Sequence, residues 1–290
     1  KILKPMHETE KQSNWDEIIK PKRGLLELNL KAVWKYRDLL TLLVRRDFVA
    51  VYKQTILGPL WHFLQPIFTT ITFTIIFSNV AQIPTDEIPA PMFYYTGTII
   101  WNFFSKCLTT TSSTFVSNAG IFGKVYFPRL IMPLSAVVSA FIAFLIQCSI
   151  LIVMYIVYSY QGANLHISTW TLTIPLLLII MAMLGLGLGI IISSFTTKYK
   201  DLNYFLGFGV QLLMYATPII YPASFIPAPF NKIVMLNPIA PVIEGFKFAV
   251  LGKGTFDFKM LTYSVVVTTI IFFIGLVTFN RVEKKFIDTI

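Results

Sequence analysis

Four stretches of this chain contain no Asp, Glu, Lys or Arg: Gln54–Thr85, Leu130–Thr197, Leu202–Asn231 and Met260–Asn280. They run to 32, 68, 30 and 21 residues, and a fifth, Ile88–Gly123, is interrupted over its 36 residues only by Lys106. A helix crosses the hydrocarbon core of a bilayer with about 20 residues. Lipid offers no partner to a backbone N–H or C=O, so such stretches must be helical. The chain therefore reads as an all-α integral membrane protein. The 68-residue stretch holds two crossings, with its turn at Tyr160–Trp170, where Gly162, Asn164, His166 and Ser168 gather. Six spans result, at about Ile56–Val80, Met92–Val116, Ile131–Tyr158, Leu172–Phe195, Leu202–Tyr221 and Met260–Phe279.

The charges that remain set the topology. Only 13% of the 290 residues are charged, against roughly 25% in an ordinary soluble domain, which excludes a simple soluble globule. The net charge of +10 is concentrated at one end, since 12 of the 24 Lys and Arg precede Gln54. A basic segment ahead of apolar spans indicates membrane orientation rather than nucleic-acid binding. The loops after spans two and four carry Lys124, Arg129, Lys198 and Lys200, and those after spans one and three carry no Lys or Arg. Both termini are thus expected in the cytoplasm, which requires an even number of crossings. Lys232, Lys247 and Lys253, between spans five and six, are the exception to this rule. The first apolar run comes some 50 residues in, so no secretory leader is expected. Cys107 and Cys148 both fall inside spans and are expected to be structural thiols.

Three segments depart from plain spans. After a polar cytoplasmic tail (1–24), residues 25–55 are amphipathic, with Leu40, Val44, Phe48 and Val51 on one helical face and Arg46 and Lys53 opposite. Such a helix is expected in the membrane interface, apolar side down. Arg45, Arg46 and Lys53 either orient the first span or also meet an anionic head group, for which the arginine fork is suited. The run SKCLTTTSSTFVSN (Ser105–Asn118) puts Ser105, Thr109, Ser112 and Ser113 roughly on one side, together with Lys106. Small-residue packing with local hydroxyl-to-carbonyl bonds accounts for it, as does a hydrated conduit, because an intramembrane charge normally faces a cavity or partner. Thr217–Asp257 holds six of the 16 prolines, separated by apolar runs too short to cross. Short re-entrant helices, within an extracytoplasmic segment 222–257, fit this pattern. Glu244 would then sit early in such a helix, stabilised by its dipole, or would act directly in transport.

Catalytic motifs do not emerge. No G-x-x-x-x-G-K-[ST] loop is present: the Gly-Lys pairs Gly123-Lys124 and Gly252-Lys253 are followed by Val125 and Gly254. His7, His62 and His166 lack metal-ligand spacing, so no metal site is expected. Gly185 and Gly189 make a small-xxx-small helix face rather than a dinucleotide fingerprint. The six spans contain no Asp or Glu, which argues against an ion-coupled secondary transporter or a channel. A membrane glycosyltransferase or acyltransferase would need clustered acids or histidines, and Asp86, Glu87, Asp201 and Asp257 are scattered.

Six motifs in fixed order carry a resemblance across nearly the whole chain beyond about Leu25. They are RRDFVAVYKQTILGPLWHFLQP (Arg45–Pro66), GTIIWNFFSKCL (Gly97–Leu108), NAGIFGKVYFPRLIMPLSAV (Asn118–Val137), YKDLNYFLGF (Tyr199–Phe208), TPIIYP (Thr217–Pro222) and LNPIAPVIEGFKFAVLG (Leu236–Gly252). With these the chain resembles the permease subunits of polysaccharide ATP-binding-cassette exporters of the type-2 family, which move O-antigen, teichoic acid and capsule precursors. Type-2 drug or lipid exporters share the fold, and the WNFF and YFPR segments favour the glycan branch. Lys106 departs from the pattern, since an acidic or neutral residue is expected after Ser105.

The resemblance implies a homodimer in the bacterial inner membrane, two separate ATPase subunits that hold ATP and Mg, and a lipid-pyrophosphate-linked glycan, O-antigen foremost, as cargo. This chain itself would carry no cofactor and no catalytic residue. The loop 118–129, with Asn118, Gly123, Lys124, Tyr126, Pro128 and Arg129, would couple to the ATPases. Arg45, Arg46 and Lys53 would receive the lipid pyrophosphate. Tyr94, Tyr95, Trp101, Phe104, Thr109, Ser112, Tyr204 and Tyr215 would line the glycan path, an aromatic face giving contact area with few directional bonds. For each aromatic, an interfacial belt or core packing is the alternative. Pro218, Tyr221, Asn237, Pro238 and Glu244 would form a re-entrant gate.

Overall fold

The computed structural model describes residues 30–287, apart from 54, 123–126, 164, 167, 197, 198, 200 and 255. The described residues are helical throughout, joined by short turns. A short α1 (Leu30–Lys35) leads to α2 (Arg37–Tyr52), and a 3-10 turn at Gly58–Leu60 starts α3 (Trp61–Phe73), which continues as a π-helical stretch, Thr74–Val80. α4 (Ala90–Ser112) is followed by two single turns, α5 (Thr114–Ser117) and α6 (Ala119–Phe122). Then come α7 (Ile131–Tyr160), α8 (Ile174–Thr196), α9 (Leu202–Tyr215), α10 (Ala228–Met235), α11 (Ile239–Leu251) and α12 (Phe258–Ile287). The tail 1–24 lies outside the described residues.

Proline and glycine punctuate these elements as their chemistry requires. Pro91 sits in the first turn of α4 and Pro229 in that of α10, where the missing N–H costs no helical bond. Asn237 Oδ1 accepts from the Ile239 N–H at the start of α11, and α11 ends at Gly252 with φ of 70°, the left-handed closing residue that glycine adopts without penalty. α7 stops at Tyr160 and the 3-10 lead-in to α8 begins at Thr169, so the break falls in the interval expected.

Among the described residues, four helices are long and apolar enough to cross a membrane: Trp61–Val80, Ile131–Tyr160, Thr169–Thr196 and Phe258–Arg281. The pair Pro229–Met235 and Ile239–Leu251, bent by 91°, makes a fifth if it is one broken span. α9, with 14 residues, extends only about 21 Å at 1.5 Å per residue. α4 has the length, with 23 residues, but carries Lys106 and many hydroxyls. It stands at the centre of the bundle, packed by α3, α7, α8, α9 and α11. Every side chain from Met92 to Trp101 is buried. A helix enclosed by protein on all sides need not be as apolar as one facing lipid.

Close helix approach follows from the glycines of α8. A Cβ built on Gly185 would fall 2.7 Å from Cys107 Cβ, and one on Gly189 would fall 2.6 Å from Thr111 Cβ, both on α4. On the opposite face, a Cβ on Gly187 would fall 2.9 Å from Phe272 Cα of α12. The small-residue face is thus double-sided, and it lets α8 lie between α4 and α12. Both cysteines are free.

Helix α2 docks on the bundle rather than standing apart from it. Leu43 and Val44 are buried, and Leu43 joins Phe115, Phe127, Ile131 and Phe279 in one apolar cluster, with Leu39 and Leu40 at its edge. The apolar face expected to meet lipid is therefore applied largely to the protein's own α7, while Leu42 and Val49 are exposed.

Candidate functional site

The polar interior of the molecule lies between α2, α3, α4 and α7. A cavity of about 400 Å³ is bounded by Arg46, Asp47 and Phe48 of α2, His62 of α3, Lys106 and Thr110 of α4, Ser113, Ser117, Asn118, and Ser135 and Ser139 of α7. A second, of about 210 Å³, is bounded by Gln65, Asn102, Ser105, Thr109 and Gln147. His62 and Lys106 belong to both walls, so the two cavities adjoin along α4. The hydroxyl run makes local hydroxyl-to-carbonyl bonds and also borders these two cavities. Thr109 donates to Ser105 O at 2.8 Å, Ser112 to Thr109 O at 2.7 Å and Thr114 to Thr110 O at 3.0 Å. Each bonded hydroxyl still presents an acceptor lone pair, so the wall remains polar.

Arg46 binds Asp47 Oδ1 through Nε at 3.0 Å and Nη2 at 2.7 Å. Of the three basic residues expected to meet a head group, only Arg46 reaches the cavity. Arg45 and Lys53 are exposed elsewhere on the surface, because Arg45 projects from another side of α2 and Lys53 follows its last turn.

A second polar centre fastens the segment before α12. Lys247 of α11 is almost fully buried, and its Nζ donates to Pro218 O at 2.6 Å and to Glu244 Oε1 at 3.3 Å, lying 3.8 Å from the Phe93 ring centroid. Gly97 leaves room for it: a Cβ there would meet Lys247 Cε at 3.3 Å. Asn237 Nδ2 donates to Thr217 Oγ1, which donates to Leu213 O, and Tyr221 OH donates to Tyr215 O. Lys253 pairs with Glu87 and Ser224 Oγ donates to Asp86, tying the loop before α4 to the same region.

Several expected site residues are placed differently. Tyr94, Tyr95, Trp101 and Phe104 are core residues, the first two with no exposed surface. They offer no face to a passing glycan in this conformation, because α4 is enclosed by its neighbours. Ser112 is likewise buried, whereas Thr109 lines the smaller cavity, and Tyr204 and Tyr215 project from α9 into the surroundings. Glu244 lies beyond the first turn of α11, so its local explanation is the Lys247 ammonium rather than the helix dipole. In the loop 118–129, Asn118 caps its own turn through Thr114 O, and Pro128 O and Arg129 O accept the first N–H groups of α7. Gly123, Lys124 and Tyr126 lie outside the described residues. Sequence reasoning missed Lys247 as the partner of Glu244, although their three-residue spacing on a helix signals the pair. His62 carried no sequence signal.

These features define a multi-pass helical membrane protein with a polar interior enclosed by α2, α3, α4 and α7. The chain belongs to the ABC-2 type transporter family, which matches residues 38–251. It is 30% identical over 252 residues to an O-antigen export system permease protein RfbA of Klebsiella pneumoniae, covering 87% of this chain and 94% of that one. It is 24% identical over 264 residues to the protein of the same name from Myxococcus xanthus (90% and 98% covered). It is also 23% identical over 234 residues to the polysialic acid transport protein KpsM of Escherichia coli (80% and 89% covered).

Proposed function

We propose that this chain is the membrane permease of an ATP-driven exporter that moves a lipid-pyrophosphate-linked polysaccharide, O-antigen foremost, out of the cytoplasm. The observation that carries this reading is the 252-residue similarity to a permease named for O-antigen export, nearly end to end on both chains. The similarity to KpsM supports a capsule-type polymer as the second cargo. Two copies of the chain form the conduit in a bacterial inner membrane, and two separate ATPase chains drive it.

In this reading six segments cross: α3 with its π-helical extension, α4, α7, α8, α9 running on to Tyr221, and α12. Both termini are cytoplasmic, and α10 and α11 form a bent re-entrant pair on the far side. ATP-driven closure of the ATPases reaches the bundle through residues 118–129 and α2. The glycan passes between the two copies, with the hydroxyl-lined interior beside its path and Pro218, Tyr221, Asn237, Pro238 and Glu244 near its outer end.

Deleting the gene from its host tests the reading. Surface polysaccharide should vanish, lipid-linked glycan should accumulate on the cytoplasmic face, and the cloned chain should restore export. The purified chain should turn over ATP only with an ATPase partner. Normal surface glycan in the deletion strain would refute the assignment.

A further inference from the structure

Lys106 is a cation facing a polar space inside a helical bundle, and the carboxylate that attracts it, Asp47, is already paired with Arg46. Lys106 lines both adjoining cavities and makes no hydrogen bond or ion pair with any described residue. The carboxylate on the larger cavity's wall, Asp47, is held by Arg46 at 2.7 Å. An intramembrane charge is costly and is kept where it meets a ligand, a partner or water.

The remaining wall is rich in donors that make no other bond, beside acceptors at Asp47, Asn118 and the hydroxyl oxygens. Ser139 Oγ is buried with no hydrogen-bond partner. The hydroxyls of Thr110 and Ser117 donate to no described group, and Arg46 uses Nε and Nη2 on Asp47, which leaves Nη1. Lys106, Arg46, Thr110, Ser117 and Ser139 come from α2, the α4–α5 segment and α7 and surround one cavity of about 400 Å³. Such a set of donors, with one positive charge in excess, matches a group that accepts many hydrogen bonds and carries negative charge. A diphosphate fits this description better than a carboxylate, which has two oxygens to place among five donors.

We infer that this cavity is a diphosphate site, with Lys106 as its principal charged contact and Ser139 as a hydroxyl donor. The inference deepens the exporter reading and rests on it for the source of the diphosphate: the head of the lipid-linked cargo, held inside one copy rather than on the exposed basic surface of α2. Lys106 thereby acquires a role that Arg45 and Lys53, outside the cavity wall, do not share.

The test uses the full-length chain in neutral phosphatidylcholine nanodiscs, with inorganic pyrophosphate and farnesyl pyrophosphate as probes. Both should bind. Lys106→Gln should weaken both by about tenfold or more, as expected for loss of a charge-assisted bond, while Lys106→Arg stays within about threefold of the parent. Arg45→Gln and Lys53→Gln should leave both affinities unchanged. In the unmutated protein, pyrophosphate should shield Lys106 from amine acylation read by mass spectrometry, which keeps the test valid should Lys106→Gln fail to fold. Unchanged affinity in folded Lys106→Gln, or Lys106 acylation at the ligand-free rate with pyrophosphate bound, overturns the site. Loss of farnesyl pyrophosphate binding in nanodiscs containing phosphatidylglycerol overturns the cargo assignment by giving the site to a bilayer head group. Failure of the exporter reading would show separately, as normal surface glycan in the deletion strain with pyrophosphate binding intact.

Discussion

Lys247 donates its shortest hydrogen bond, 2.6 Å, to the carbonyl of Pro218, so a buried cation on α11 holds the non-helical turn that follows α9. The Glu244 carboxylate and the Phe93 ring complete its surroundings. The apparent exception to the orientation rule at Lys247 thus has a physical reason. The residue is neutralised inside the protein and contributes no free loop charge.

Lys247→Met should destabilise the chain strongly, on the order of 3–5 kcal/mol, because Glu244 is left charged and buried. Adding Glu244→Gln should recover much of the loss. Thermal unfolding of the parent, Lys247→Met, Glu244→Gln and the double variant in one detergent, followed by size-exclusion chromatography, measures this cycle. A double variant less stable than Lys247→Met alone would count against the pairing.

Tyr94 and Tyr95 sit side by side and are equally buried, but only Tyr95 has a partner, Gln147 O at 2.9 Å. Tyr95→Phe should cost about 0.5–1.5 kcal/mol, the usual net value of a hydrogen bond. Tyr94→Phe should be neutral or slightly stabilising. Melting temperatures resolve the pair, and surface glycan should stay normal in both strains.

The contact of α8 with α4 leaves no space at Gly185 or Gly189, whereas Gly207 on α9 has open space around it. Gly189→Val should overpack the seam and cost roughly 1–3 kcal/mol or more, seen as lower yield of monodisperse protein. Gly207→Ala should express normally. Equal yields would show that the seam relaxes.

If residues 118–129 couple to the ATPase as proposed, Arg129→Glu weakens co-purification of the ATPase while the permease still inserts. Pull-down from membranes with the tagged permease, together with insertion scored by protease protection, separates the two effects. Retained ATPase and export would exclude the segment as the coupling element.

The all-helical membrane character was legible because lipid-facing and core helices alike must shed charge, and Leu130–Thr197 shows this over 68 residues. Composition does not distinguish a helix facing lipid from one facing protein. Tyr94, Tyr95, Trp101 and Phe104 are therefore indistinguishable in sequence from channel-lining aromatics, although all four are buried among the neighbours of α4. Gly185 and Gly189 were read correctly because their spacing has one dominant use. The cavity was half legible: the hydroxyl run with Lys106 marked α4, but the contributions of His62, Ser139 and Gln147 depend on how α3 and α7 are turned. Arg46 separates from Arg45 and Lys53 for the same reason.

Val210 is the one described residue of α9 that is buried, while Tyr204, Phe205, Phe208 and Leu212 are exposed. The bundle is therefore unequal in what anchors its parts. α4 carries its own solvent shell of protein, whereas α9 takes its surroundings from whatever the bilayer or a second copy supplies. Extraction into a harsh detergent should consequently loosen α9 long before the α4–α8–α12 stack. Protease cuts should appear first on either side of Leu202–Tyr215, and a purification that keeps annular lipid should protect those sites.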